Sequence, residues 1–388
     1  MYIRNGILIG LFALTLICCK AQEEKSVSKK PLNGIKISWD NSTLKKLSGN
    51  TARYSGYARA IELQDGTLFC VFEEDGNVVS VQSSDKGKSW TAPQIIAAKE
   101  EGVNMAVPEI VQLQDGSLLV SYNTRPYGNN GKRFAIRTKT SYNNGLTWKD
   151  ERLLYEAGTK FEDGCWEPAA IQLPSGEIRL YFANEGVFTN SNEQNIAMLR
   201  SFDNGLTWTK EPKAISFRPG ARDGMPVPLL LKGTNDILVA IEDNGFVDFK
   251  PYIIKTAIDD AAQETVGADS PRRTYALAEK VKNSIYAGAP YLAQLSSGET
   301  LLSYQGTEYR ASNKLQHADM KVVIGDEKGR NFKYKTSPFN IPGDKSGLWN
   351  SITVLKGDTI LALTSTNGFS QNGNTEVWII KGHIAGKK

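Results

Sequence analysis

The chain has 388 residues, 23% of them charged and 40% hydrophobic, and a net charge of +4 spread without long basic runs. That balance fits a soluble globular protein and argues against nucleic acid as the main partner, which would want a basic stripe. The two histidines, His317 and His383, lie far apart, and no His/Cys cluster has metal-ligand spacing, so neither a metal nor another cofactor is expected.

Taken in chain order, the first element is an export signal. Arg4 precedes an apolar run, Ile7 to Ile17, too short to span a bilayer comfortably. Two processing readings fit its end. Leu16-Ile17-Cys18-Cys19 has the form of a lipobox, which makes Cys19 a lipidated N-terminus. Cys19-Lys20-Ala21 has the form of a small-x-small cleavage site, which releases a soluble chain at Gln22. The acidic Glu23-Glu24 just beyond resembles the export tag of surface lipoproteins and favours the first. Either way the protein is expected outside the cytoplasm, as an outer-membrane lipoprotein at the surface or in the periplasm, or secreted. Residues 1–19 are thus a signal peptide and 20–33, rich in Lys, Ser and Glu, a tether. Membrane contact is expected only through the lipid, and the body as a monomer. Cys70 and Cys165 are the cysteines left in it, expected as two separate buried thiols.

From residue 34 the sequence repeats. Six segments each carry an apolar strand, a short Gly/Asp/Ser turn and a second apolar strand. They begin at Gly56, Ala106, Cys165, Met225, Gly288 and Leu348, spaced 50 to 63 residues apart. A period of that size with several strands per unit predicts propeller blades. The fold expected over 34–388 is all-β, a six-bladed propeller. The stray strand "GIKISW" (34–39) is expected to complete the last blade and so close the ring. The one helical candidate is a weak stretch near Asp259 to Thr265.

A second motif recurs in phase. "SSDKGKSW" (83–90), "SYNNGLTW" (141–148) and "SFDNGLTW" (201–208) fit Ser-x-Asp-x-Gly-x-x-Trp, and "GDEKGRNF" (325–332) is a worn copy. These look like Asp boxes, the BNR repeats of sialidase-like propellers. Asp or Asn caps turn amides, Gly takes positive φ and Trp packs between strands. Their role is structural, away from substrate.

In a propeller, first-strand starts and second-strand ends meet at one mouth. Here those positions hold Arg59, Glu109, Glu167, Arg222, Asp223, Tyr291, Trp349 and Asn350 from the first set. The second set gives Glu73, Asn123, Glu185, Glu242, Asp243, Tyr304, Gln305 and Thr364. Clustered carboxylates raise one another's pKa, which suits acid/base work at neutral pH. The alternative is a solvated acidic rim. Paired Glu residues with aromatics suggest glycoside hydrolysis, with Trp166, Trp349 and Tyr291 as sugar-stacking faces.

The order "YAR" (57–59), "WEP" (166–168), "RDGM" (222–225), "AIED" (240–243) and "AGAP" (287–290) resembles glycoside hydrolase family 93, the exo-α-1,5-L-arabinanases of the sialidase superfamily. The resemblance covers about residues 50 to 385. It implies Glu167 as nucleophile, Glu242 as acid/base, and Arg59, Asp223 and Tyr291 lining the −1 subsite. It also implies a retaining reaction on arabinan or arabino-oligosaccharides, with the carboxyl groups about 5–5.5 Å apart. Two rivals remain. A sialidase acting on 2-keto acid sugars would need three arginines and a Tyr nucleophile paired to Glu. Arg59, Arg125, Arg222 and Arg310 lie near rim positions, but blades five and six start with Tyr291 and Trp349. The other rival is a non-catalytic glycan-binding lipoprotein.

Overall fold

The computed structural model describes residues 36–128, 130–259 and 264–385. The signal peptide, the tether, Cys19 and most of the helical candidate at 259–265 lie outside the described residues. Gly34–Lys388 forms one compact unit.

Six four-stranded antiparallel sheets make the six blades of a propeller. Their innermost strands are Ser55–Glu62, Val103–Gln112, Cys165–Gln172, Asp223–Leu230, Ala287–Gln294 and Gly347–Val354. Each second strand is packed between neighbouring blades on both sides. This is why its sequence is continuously apolar rather than alternating: Ile178–Asn184 is buried at every position. The seams between blades are the core. Phe69 and Val71 of blade one meet Ile110, Val120 and Tyr122 of blade two, and Leu361 and Leu363 of blade six meet Cys70 and Phe72 of blade one. Cys70 and Cys165 are free and buried, and burial holds both thiols well above their ordinary pKa.

Blade six has the order expected. Lys36–Lys46 pairs antiparallel with Glu376–Ala385, which pairs with Ile360–Thr366 and then Gly347–Val354. The first described strand therefore covers the edge of the last, and no blade lacks its outer strand. At the lower face, amide side chains latch adjacent blades. Gln112 accepts from the Gln64 N–H, Gln172 from that of Gln114, and Gln294 from that of Lys232, at 2.7–2.9 Å. Also on that face lie the turns of the Ser-x-Asp/Asn-x-Gly segments. Ser83, Ser141 and Ser201 Oγ each accept the glycine N–H four residues on, at 2.7–2.9 Å, while Asp85, Asn143 and Asp203 accept from Ser89, Thr147 and Thr207.

At the opposite face every inner strand carries the same irregularity. The register slips at Gly56/Arg59, Ala106/Glu109, Trp166/Ala169, Gly224/Val227, Gly288/Tyr291 and Leu348/Ser351. Within each bulge one residue takes a left-handed backbone: Tyr57, Val107, Glu167, Met225, Ala289 and Trp349, all at φ between +47° and +54°. Four of the six precede proline, which has no ladder N–H to lose.

The closing strand yields the first prediction. Deleting 36–46 leaves Glu376–Ala385 as a bare edge over an open seam. The truncated chain should melt at a lower temperature and aggregate, as calorimetry and light scattering would report.

Candidate active site

The six left-handed residues form a collar where the channel meets the pocket face. Five are Tyr57, Val107, Met225, Ala289 and Trp349, which pack together as one apolar cluster. The sixth is Glu167. A left-handed bulge residue that is not glycine stores roughly 1–3 kcal/mol of strain. Its bulge turns the side chain out of the strand's pleat and toward the axis.

The bulges are fixed by the preceding blade. The residue opposite the start of each bulge on the second strand reaches across the seam to the left-handed N–H. Asn123 Oδ1 accepts from Glu167 N–H at 2.8 Å, and Gln305 Oε1 from Trp349 N–H at 2.7 Å. Ser365 Oγ accepts from Tyr57 N–H at 3.1 Å, and Glu73 accepts from Val107. Glu242 Oε2 accepts from Ala289 N–H at 2.7 Å. The sixth such position is Ala183, opposite Trp166, which has no side-chain acceptor. Asn, Gln and Ser do this work in other blades, so it does not explain a carboxyl at 242.

Above the collar is a cavity of about 230 Å³ lined by Tyr57, Arg125, Phe161, Trp166, Glu167, Gln194, Arg222, Glu242 and Trp349. Tyr57 and Trp349 stack at 4.6 Å to give one flat wall. Arg125 lies over the rings of Tyr57 and Trp166 and pairs with Glu167 at 3.5 Å. Arg222 pairs with Glu185, which accepts the Trp166 indole N–H at 2.6 Å. The Nε–H groups of Arg125 and Arg222 are buried with no acceptor among the described residues. Burial pushes Glu167 up to about 7, against the opposing pull of Arg125. It pushes Glu242 up to about 7 as well, helped by the like charge of Glu167 and opposed by the Ala289 N–H.

Two glycines make room for Glu242. A Cβ on Gly288 would stand 2.5 Å from Glu242 Oε2, and one on Gly224 would stand 3.1 Å from Oε1. These are the glycines of "AGAP" and "RDGM". Gly164 in the same way clears the face of Trp166, 2.4 Å from where its Cβ would be.

Of the residues expected at the site, Glu167, Glu242, Trp166, Arg222 and Trp349 line the cavity together. Five others lie elsewhere. Arg59, Glu109 and Tyr291 follow their bulges, and the extra bulge residue sends them below the collar into the channel. There the Tyr291 hydroxyl donates to Glu109 at 3.0 Å, and Arg59 pairs with Glu109 at 3.4 Å. Asn350 is 2% exposed and donates its amide to the Gly347 carbonyl. Asp223 and its cross-strand partner Asp243 are fully buried, and Arg273 binds both, at 2.5 and 2.7 Å. Arg218 adds a second cation to Asp243, and Ser216 donates to Asp223. Successive strand residues face opposite sides, so Glu242 enters the pocket while Asp243 enters the seam. Tyr57, Gln194 and Phe161 are pocket residues that the repeat pattern did not single out, and Arg125 had entered only as a rim arginine. The proline that follows the collar residue in four of the six blades marked that position and could have found Glu167 independently.

A larger cavity, about 370 Å³, opens at the other mouth of the channel. Its walls mix aliphatic side chains with Glu62, Gln64 and Gln112, and its buried carboxylate, Glu109, is held by Arg59 and Tyr291. In the upper cavity Glu167 and Glu242 are both pushed up to about 7 by burial, whereas Glu62 of the lower cavity is only half-buried, which makes the upper one the candidate active site. Among the described residues, no group of three His, Cys, Asp or Glu could hold a metal ion.

The sequence matches no protein-family profile and no curated protein. Solved structures are similar in fold. A protein of unknown function from Dyadobacter fermentans superposes with a TM-score of 0.70 at 15% identity, over 91% of this chain and 100% of that one. The GH93 α-L-arabinofuranosidase of Fusarium graminearum in complex with arabinobiose gives 0.63 at 18%, over 87% and 95%. The NanB sialidase of Streptococcus pneumoniae gives 0.60 at 12%, over 87% and 69%. At these identities the likeness establishes the fold, a sialidase-like six-bladed propeller.

The Arg273 cluster sets a prediction. Arg273→Ala leaves buried Asp223 without a cation and Asp243 with Arg218 alone, at a cost of about 3–5 kcal/mol. Urea unfolding should show that loss.

Proposed function

We propose that the protein is an extracytoplasmic, exo-acting, retaining glycoside hydrolase that cleaves α-1,5-L-arabinan or arabino-oligosaccharides. One observation carries the reading. The only carboxyl in the strained collar of left-handed residues is Glu167, and it shares a cavity with a second carboxyl, Glu242. Asn, Gln or Ser would satisfy the structural demand on Glu242, and an apolar residue that on Glu167.

In this mechanism Glu167 attacks the anomeric carbon as the glycosidic C–O bond breaks, forming a glycosyl ester. Glu242 gives its proton to the leaving oxygen. Glu242 then takes a proton from water, whose oxygen attacks the anomeric carbon and releases Glu167. The starting state needs one proton on the pair, with Glu167 ionised and Glu242 protonated. Arg125 beside Glu167 favours that distribution, and Glu242 can accept the Ala289 N–H at one oxygen while carrying a proton on the other. The Tyr57–Trp349 wall offers a stacking face, and Arg125, Arg222 and Gln194 line the cavity as polar groups for sugar hydroxyls. The cavity is smaller than the roughly 300 Å³ at which small-molecule pockets begin, which suits a terminal sugar unit.

The sialidase reading is less well supported. Arg125 and Arg222 line the cavity, but Arg59 lies in the channel, as does the Tyr291–Glu109 pair. The fold similarity to an arabinofuranosidase holding arabinobiose favours the arabinose reading. Chromatography of products from arabinan, linear arabino-oligosaccharides and sialosides tests both, and turnover of none would leave a glycan-binding protein.

Glu242→Gln should lower kcat by roughly 10²–10⁴-fold with folding intact. Glu167→Gln should lower it at least as far, and near-normal turnover in either variant would remove this mechanism. Rate should peak near neutral pH, since the pair loses its nucleophile by protonation below that range and its acid by ionisation above it. Stability gives a separate readout. Glu167 titrates near 7 in the folded protein against an ordinary 4.5, so the stability tied to its protonated form is present below 4.5 and lost as pH rises through 7. Well above neutral pH, Glu167→Gln should therefore be more stable than wild type, on the order of 1–3 kcal/mol, with little difference near 4.5.

A further inference from the structure

The lower face carries a feature the pocket does not use. The Ser-x-Asp/Asn-x-Gly turns of blades two and three expose an aromatic and a leucine at matching positions. They are Tyr142 and Leu146, 56% and 77% exposed, and Phe202 and Leu206, 66% and 45% exposed. The same turn in blade one holds Ser84 and Lys88, and the worn copy in blade five holds Asp326 and Arg330. The turn therefore forms without apolar residues at these places, and its geometry does not explain them. Leu153, 54% exposed on the outer strand of blade two, adds a fifth apolar side chain. Lys149, Asp150 and Arg152 stand beside them: Asp150 accepts the Tyr142 hydroxyl at 2.8 Å and pairs with Arg152 at 3.6 Å, Arg152 reaches to the Leu206 carbonyl, and Arg200 lies 4.7 Å over the Phe202 ring.

Strand direction places the start of the body on this same face. Lys36 pairs with Ala385, at the end of the last strand remote from the pocket, and the chain then runs up to Lys46 beside Trp378. The peptide from Cys19 to Lys36 cannot exceed about 60 Å in any conformation. A lipid on Cys19 would thus tether the protein by its lower face.

We propose that this face docks on a lipid bilayer, with Tyr142, Leu146, Phe202 and Leu206 entering the interface and the pocket opening away from the membrane. The proposal rests on the lipidated reading of Cys19 and is independent of which sugar the pocket takes. An anchor alone fixes distance and leaves orientation free. Exposed aromatic and aliphatic side chains on neighbouring turns, rimmed by charged groups, are the chemistry that enters a headgroup layer. A polymer in solution could then reach the pocket without crossing the membrane plane.

The test uses the full chain, exported and processed in its host, on phosphatidylethanolamine–phosphatidylglycerol vesicles. Leu146→Cys is labelled with an environment-sensitive fluorophore, since Cys70 and Cys165 are buried and unreactive in the folded protein. Tyr309→Cys, on the pocket face and 95% exposed, is the control position. The expected result is flotation with the vesicles, a blue shift and severalfold brightening at 146, and no change at 309. Adding Phe202→Ser and Leu206→Ser should abolish the shift while flotation persists. Flotation without a shift at 146, equal shifts at both positions, or failure to float each overturns the proposal. So does a shift that appears without vesicles as concentration rises and coincides with a dimer in sedimentation, which would make a second copy the occupant. Hydrolysis of arabino-oligosaccharides by the detergent-solubilised chain is measured in parallel, so loss of docking and loss of the glycosidase reading are separable.

Discussion

The site depends on the bulge that every inner strand makes at its upper end. An unbroken strand would point alternate residues into the seams and give the channel smooth walls. The bulge instead lets one residue per blade adopt a left-handed backbone and face the axis. The strain is held by a side-chain acceptor from the preceding blade, documented for five of the six bulges. The ring must therefore be closed before the collar is fixed, and the outer strand Lys36–Lys46 contributes to the site although it lies at the edge of blade six.

Electrostatics then sort the acids that the hairpin from Asp223 to Asp243 brings together. Asp223 and Asp243 face each other across the ladder and would repel, but Arg273 bridges them and Arg218 and Ser216 satisfy what remains. Glu242, one residue away, points the other way and has no cation in direct contact among its hydrogen bonds and ion pairs. Its neighbours are an N–H, two glycines and the charge of Glu167. Two acids are matched by arginines in the wall, while burial raises the pKa of a third in the cavity. The alternation of side chains along one strand separates the two outcomes.

The two faces of the ring differ for the same topological reason. Turns between first and second strands, and between third and fourth, gather at the lower face and carry the latches between blades. The bulges and the longer connections gather at the upper face. Sequence variation that would disturb packing in the seams is tolerated in either set of loops, so each face can acquire a separate task.

Much of this architecture was legible along the chain. The 50–63-residue period, the paired apolar strands and the recurring Gly turns identified six blades, because each blade solves the same packing problem. The leftover strand at 34–39 showed how the ring closes. Glu167, Glu242, Trp166, Arg222 and Trp349 were also reachable, since strand ends of a propeller must converge on one mouth. What only the tertiary structure decided was depth and facing. Arg59, Glu109 and Tyr291 looked equivalent to Glu167 in the repeat, yet one extra residue in each bulge moves them below the collar. Asp223 looked like a pocket acid until Arg273, fifty positions away, supplied its partner. A periodic sequence specifies which residues are near an end of a strand. Which way each side chain turns there depends on a backbone torsion and on contacts from another blade, and neither is written in the local pattern.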